Sequence, residues 1–329
     1  MTRAVTVLLI LILALLAASL SLGDYAVPVR DIVQILTGAE AREPQAAMIV
    51  LDIRLPRVLT ALLVGLALGV GGVIIQAVMR NPLAEPGLLG INSGAAVAAM
   101  LLIVQMGEAP LHLLPWFAFA GALAASLAIY LLSLSGGASA TRIILIGIGI
   151  SALCGAAMGF MSAFGDVTAV QRAMIWLSGS VYDSRWVKLQ LLFLWLLLPL
   201  LLAWMSAREL DALGLGDAPA QAIGQRVHLV RGAMILLCSM ICGAAVAAAG
   251  LIGFVGLVAP HLARHLVGPR HALMMPVAAL GGGALVMAAD LAGRTLIAPA
   301  QLPAGLVTAL IGAPFFAYLL WTRRDAQFR

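Results

Sequence analysis

Runs of about twenty apolar residues recur along the whole chain, and they limit what it can become. A bilayer's hydrocarbon core is about 30 Å thick, which an α-helix crosses in about 20 residues. Within it every backbone polar group must be satisfied internally, so only helices and closed barrels can span. The runs here are rich in Leu, Ala, Gly and Val. They lack the alternating ten-residue pattern of a barrel strand. Of the 329 residues, 63% are hydrophobic and only 10% charged, whereas an ordinary soluble domain is about 25% charged. The expectation is an all-α polytopic membrane protein with about ten transmembrane helices. The spans read as 4–22, 58–79, 88–106, 113–133, 143–164, 189–205, 229–249, 251–267, 273–292 and 303–321. Residues 168–182 read as a short extra helix that need not cross.

The first run lacks a clean cleavage site, so it reads as a retained helix rather than a secretory signal. Glycine-rich stretches at 65–72 ("GLALGVGG") and 279–289 ("ALGGGALVMAA") suit close helix contact through small residues. Cys154, Cys238 and Cys242 all fall within apolar spans and read as packed thiols. No metal-binding spacing emerges. The basic residues are scattered and never form a run, which gives no support for a nucleic-acid partner.

Charge sets the expected orientation. With ten crossings and the N-terminus inside, the cytoplasmic side carries 11 of the 19 basic residues. That is a modest positive-inside bias, with both termini cytoplasmic. Arg54, Arg57 and Arg294 then fall on the outer side. Asp52 and Asp290 are close enough in sequence to be their local partners, and anchoring at the membrane edge is the plain reading for them.

One segment is out of place in so apolar a chain: "SARELDALGLGDAPAQAIGQRV", residues 206–227. Ser206 with Glu209 three positions on suits a capped turn. Asp217 can cap a second short helix that tolerates Pro219, and Gly224 suits its C-terminal end. A solvated connection is the plain reading. Ala218, Ala220, Ala222 and Ile223 also offer a small apolar surface to a partner.

The chain has a single lysine, Lys188, so no G-x-x-x-x-G-K-[ST] phosphate loop can be written. Any ATP energy must enter from another polypeptide. An ion-coupled secondary transporter would need no such partner, but it usually carries ionisable groups near the bilayer midplane. None is placed there by the expected spans: Glu85 falls in the turn "NPLAEPG", and Asp290 and Arg294 lie near a helix end. In the fifth span Ser151, Gly155, Met158, Gly159 and Ser162 form one helical stripe, which suits either a solute path or close packing.

Four ordered motifs carry a resemblance over nearly the whole length. They are "IRLPRVLTALLVGLALGVGGVIIQAVMRNPLAEPGLLGINSGAAVA" (53–98), "GLIGFVGLVAPHLARHLVGPRH" (250–271), "AADLAGRTL" (288–296) and "LPAGLVTALIGAPFFAYLL" (302–320). The chain resembles the iron-siderophore, haem and vitamin B12 permease family of ABC importers. The resemblance implies one permease domain over residues 1–329, built as two five-helix halves in a bacterial inner membrane. It implies a second permease copy or a paralogue, ABC ATPase subunits carrying ATP and Mg, and a periplasmic binding protein. The chain itself would bind no cofactor and hydrolyse nothing. Residues 206–227 would be the coupling element, with Glu209, Leu213, Gly216, Asp217, Ala220, Ala222 and Gly224 facing or shaping the ATPase contact. Arg54 and Arg294, with Arg57 beside them, would receive carboxylates of the binding protein. The stripe from Ser151 to Ser162 would line the path, and "GGASATR" (136–142), with Ser139 and Thr141, would form the inner gate. The stretch "RAMIWLSGSVYDSRW" (172–186) is similar to siderophore members, which favours a ferric siderophore over haem or vitamin B12.

Overall fold

The computed structural model describes residues 2–38, 43–106, 111–134 and 139–323, and no strand occurs among them. The helices, in chain order, are α1 (Thr2–Ser21), α2 (Val29–Leu36), α3 (Pro44–Met48), α4 (Leu55–Val78), α5 (Ile91–Gln105), α6 (Leu114–Leu134), α7 (Ala140–Phe164) and α8 (Val167–Leu177). They continue as α9 (Trp186–Met205), α10 (Ala207–Gly214), α11 (Asp217–Ala222), α12 (Val227–Ala249), α13 (Val255–Val267), α14 (His271–Thr295) and α15 (Ala304–Arg323). Among the described residues, eight helices are long and apolar enough to cross a membrane.

The two expected spans that fall short of that length share a cause. The third is the 15-residue α5, and the eighth is the 13-residue α13. Each follows an irregular segment packed against the bundle, the first ending in a 3-10 turn at Pro86–Leu89. From sequence, residues 81–87 read as a turn before the third span. Instead residues 81–90 fold back against α4, α7, α12 and α13: a Cβ on Gly256 would lie 2.8 Å from Pro86, and one on Gly147 would lie 2.3 Å from the Leu88 carbonyl. Glu85 is carried inward with them, and its carboxylate accepts the backbone N–H of Phe254 at 2.9 Å. Phe254 is left-handed (φ 66°) and opens α13. Irregular backbone within a bilayer is tolerated only when buried in protein, and here Glu85 and the Phe254 N–H satisfy one another.

The second span also differs at its start. Hydropathy places it at Val58 because Asp52, Arg54 and Arg57 interrupt the apolar run. The helix begins at Pro44 and runs through a π-helical stretch, Ile49–Arg54, into α4. It continues across the charged residues because both arginines find partners inside the fold.

At the centre, α4 is buried around nearly its whole circumference. Its glycines are where neighbours touch its backbone. A Cβ on Gly65 would lie 2.2 Å from the Gly282 carbonyl of α14, one on Gly69 2.3 Å from Ala278 O, and one on Gly72 2.0 Å from Gly256 O of α13. The two glycine-rich faces anticipated at 65–72 and 279–289 thus meet each other. Small residues allow this approach and hold helices together by van der Waals contact where lipid supplies no hydrophobic drive. Cys238 and Cys242 are buried against Gly71, and all three cysteines are free thiols. Gly72→Ala is expected to destabilise the folded protein by about 1–3 kcal/mol, as overpacking does, read as a lower melting temperature in detergent. Gly155→Ala is the control, because a Cβ there meets nothing within 4 Å. Equal melting of the two variants would show that the α4–α13 spacing is not set by this contact.

Candidate functional site

At the end of the bundle where α9 leads into α12, the polar segment forms the two short helices α10 and α11. Their local chemistry differs from the sequence expectation. Ser206 does not cap α10: its hydroxyl donates to Leu202 O. Glu209 does not close a capping box. Its side chain and carbonyl accept the amide of Gln225, at 2.6 and 2.9 Å. Gly216, at φ 110°, precedes α11 in place of an Asp217 cap. Gly224 does end α11 as expected. At φ 89° it donates to Gln221 O while Gln225 donates to Ala220 O, the paired bonds of a Schellman motif.

Asp217 is instead a latch. Its carboxylate accepts from Arg231 of α12 at 2.7 Å and lies 3.7 Å from Arg80, just past α4. Arg231 is 1% exposed, so the pair is fixed at its inner partner. Burial pushes the Asp217 carboxyl up, but the Arg231 hydrogen bond, Arg231, Arg80 and His228 together outweigh it and hold it below the usual range. A second tie joins the same element to α14: Asp211 accepts the His271 backbone N–H at 3.0 Å and its Nδ1 at 2.6 Å. The partners Arg80, Arg231, Gln225 and His271 were not singled out from sequence, and no local spacing could have found them.

The element has an inner and an outer face. Leu213, Gly216 and Ala220 are buried against the bundle. Ala222 is exposed, and Leu215 and Ile223 stand out at 64% and 66% exposure. Both are large apolar side chains left uncovered on a folded, latched element. Ala220, expected on that surface, belongs to the support beneath it.

At the opposite end the three arginines come together, but turned inward. Arg54 is 7% exposed, and its guanidinium donates to Leu20 O at 2.6 Å and Ser21 O at 3.1 Å, with a further bond to Tyr25 O. Arg294 donates to Ser19 O and Leu22 O. Both therefore satisfy the carbonyls that end α1, where a cation also meets the negative end of the helix dipole. Arg57 grips Asp290 with Nε and Nη2 (3.1 and 2.8 Å), donates to Gln301 at 3.0 Å, and lies beneath the Tyr182 ring. Asp290 is thus chiefly the partner of Arg57, with Arg294 4.0 Å away. Asp52 is exposed and makes none of these contacts. Arg54→Ala with Arg294→Ala is expected to free the C-terminus of α1, giving a lower melting temperature and new protease cleavage near residues 21–27. A double variant that melts normally and resists cleavage would show that α1 is held by packing alone.

Along α7, Ile143, Gly147 and Met161 face the bundle. The stripe from Ser151 divides. Ser151 bonds Ser93 of α5 at 2.9 Å, and Met158 packs beside Met161. Ser162 is half-buried. Gly155 and Gly159 lie on an open face, where an added Cβ meets nothing within 4 Å. That face also exposes Leu145, Ile148, Leu153 and Phe160. Ser139 caps α7 by accepting from Arg142 N, and Thr141 is exposed in its first turn. Gly136 and Gly137 lie outside the described residues.

The stretch "WLSGS" (176–180) holds a close backbone crossing. Gly179 (φ 72°) and Gly250 (φ 70°) cross so closely that a Cβ on either would strike a carbonyl, of Leu251 at 2.1 Å or Trp176 at 2.2 Å. Ser180 N donates to Ala249 O, and Gly305 N donates to Gly179 O. This knot ties α8 to the ends of α12 and α15.

The comparisons agree with this architecture. The model of the FecCD transport family matches residues 9–322. The achromobactin transport system permease protein of Dickeya dadantii is 44% identical, over 97% of this chain and 91% of the relative. The hemin transport system permease protein of Yersinia pestis is 43% identical, over 84% of each chain. A solved ABC transporter assigned to the metal-chelate type, in an inward-facing conformation, superposes with a TM-score of 0.88 at 30% identity, covering 98% of this chain and 100% of that one. By family model, relatives and fold together, this chain is a multi-pass membrane protein that belongs to the FecCD transport family.

Proposed function

We propose that this chain is the permease subunit of an ATP-driven importer that carries a ferric chelate inward across a bacterial inner membrane. The observation that carries the reading is the latched pair α10–α11. It presents Leu215 and Ile223 to solvent on a chain that has no phosphate loop of its own. Such an element can receive force from a separate ATPase, which would bring ATP and Mg. Relatives named for achromobactin and hemin transport support chelated iron as the cargo class. Haem and vitamin B12 are the alternative cargoes.

In this reading both termini and α10–α11 lie in the cytoplasm, and a periplasmic binding protein docks at the arginine end. Arg54, Arg57 and Arg294 shape that docking surface from beneath, since their guanidinium groups are already occupied. The open face of α7 faces a second copy of the chain across the solute path, with Gly155 and Gly159 keeping it clear. Family membership displaces the secondary-transporter alternative. The test is co-purification with an ATPase, followed by iron-chelate uptake into proteoliposomes. Uptake should vanish when the ATPase's phosphate-loop lysine is replaced. Uptake that persists without ATP, driven by an ion gradient, would overturn the proposal.

A further inference from the structure

The last helix, α15, carries two residues that weaken a helix, Gly312 and Pro314, almost side by side. Gly312 costs backbone entropy, and Pro314 lacks the N–H that would bond Leu310 O. Glycine and proline mark the places where helices kink. The halves on either side are held differently. α15 starts beside the arginine end, where Gln301 binds Arg57. There Gly305 N donates to Gly179 O, and a Cβ on Gly305 would lie 2.4 Å from Ser178 O and 2.6 Å from Leu251 O. Ala304, Gly305, Val307 and Thr308 are all buried. Of residues 313–321, only Leu319 is buried within the subunit. That second half runs toward the end of the bundle that carries α10–α11.

At the junction α15 rests on one side chain. A Cβ on Gly312 would lie 2.2 Å from Cγ of Phe254 and 2.3 Å from its Cβ, so the root of the ring fills the space a side chain would need. Phe254 reaches it from a left-handed backbone, φ 66° and ψ −20°, which is strained for a bulky residue. Such strain persists only where the surroundings impose it, and it gathers at switch regions. The imposing contact is the Glu85 carboxylate, which accepts the Phe254 N–H at 2.9 Å. Beyond the junction the second half meets α13 again, where Phe315 lies edge-on to His261 with ring centroids 5.6 Å apart.

We propose that α15 bends at Gly312–Pro314 about Phe254, that its second half swings against α13 during transport, and that Glu85 is the positioning residue that fixes the pivot. The carboxylate thus links the 81–90 segment to a helix from the other end of the chain. The inference rests on the importer reading for the work that drives the swing.

The probe is a short bifunctional methanethiosulfonate, applied to the full-length permease in nanodiscs, alone and assembled with its ATPase. His261→Cys and Phe315→Cys supply the two thiols in a Cys154→Ala background, because Cys238 and Cys242 are buried. With the ATPase present, the cross-linking rate should differ at least about fivefold between nucleotide-free and ADP–vanadate-trapped protein. Pro314→Ala returns a donor to Leu310 O and should shrink that difference below about twofold. In the permease alone, Glu85→Ala should slow cross-linking at least about threefold by releasing Phe254. Glu85→Gln should keep the wild-type rate, because its amide oxygen still accepts the Phe254 N–H. Melting temperature is followed for every variant, and a rate that changes only with unfolding counts against the pivot. Equal rates in the two nucleotide states, with ATP hydrolysis intact, would overturn the bend. Equal rates for Glu85→Ala and the wild type would overturn the role of Glu85. Absent ATP hydrolysis sinks the importer reading instead, and the Glu85 arm, which needs no ATPase, still judges the pivot.

Discussion

Asp290→Ala is expected to be the most damaging single substitution at the arginine end, costing about 3–5 kcal/mol of stability, the range for breaking a buried pair from one side. Asp290 is 4% exposed and takes two nitrogens of Arg57, which is itself 7% exposed. Its loss would leave Arg57 with Gln301 as its remaining hydrogen-bond partner and would leave Arg294, 4.0 Å away, beside another unbalanced cation. Three buried guanidinium groups would then lie together with Asp24, which offsets Arg54 and Arg294, in place of a directly paired carboxylate. The penalty comes chiefly from the stranded charges, because a matched pair contributes little net stability once desolvation is counted. Arg57→Met combined with Asp290→Ala should therefore recover much of the loss. The measurement is thermal unfolding of detergent-purified protein followed by size-exclusion chromatography. If Asp290→Ala melts like the wild type, the pair is not structural. If the double variant melts below the single one, the stranded-charge account fails.

How much of this was legible in the sequence depended on whether the signal was local. The apolar runs announced the helices, and the glycines of α4 and α14 announced close contact, because both properties are written in consecutive residues. Three things depended on distant partners. Arg54 looked like an exposed outer charge because the α1 carbonyls it binds come from 33 and 34 positions earlier. Glu85 looked like a turn residue because the Phe254 N–H that holds it is 169 positions away. The starts of α5 and α13 were misplaced because hydropathy cannot distinguish a crossing helix from apolar backbone that folds back on itself.

The α10–α11 pair shows the same division more finely. Glycines and Pro219 correctly signalled two short helices, since turn chemistry is local. Which alanines face outward was not recoverable. In a six-residue helix with no strong apolar stripe, Ala220 and Ala222 look alike, and only the packing of α11 on α12 separates them. The latch was equally hidden, because Asp217 and Arg231 belong to different helices.

Substitutions on the exposed face of α10–α11 should therefore uncouple the transporter while leaving the permease folded. Ile223→Glu with Leu215→Glu replaces two apolar anchors by charges, and truncating such anchors typically costs 2 kcal/mol or more, about thirtyfold in affinity. Uptake should fall at least about tenfold, with melting temperature unchanged. Ala220→Leu should behave differently. Ala220 is fully buried, so its failure would appear as lost folding. Asp217→Asn tests the latch itself. The Asp217 carboxyl sits below its ordinary range, so its stabilisation is present above the unfolded value of about 3.9 and fades only as pH falls through the still lower folded one. Coupling should then be flat between pH 6 and 8 in the wild type, within the range where the latch stays ionised. Asp217→Asn should lower coupling equally at both ends of that range. If Ile223→Glu with Leu215→Glu imports normally, the pair is only a connection between α9 and α12. If Asp217→Asn loses coupling at pH 8 but not at pH 6, a different group governs the element. The two outcomes are independent, because the first removes the surface a partner would grip and the second loosens the element from α12.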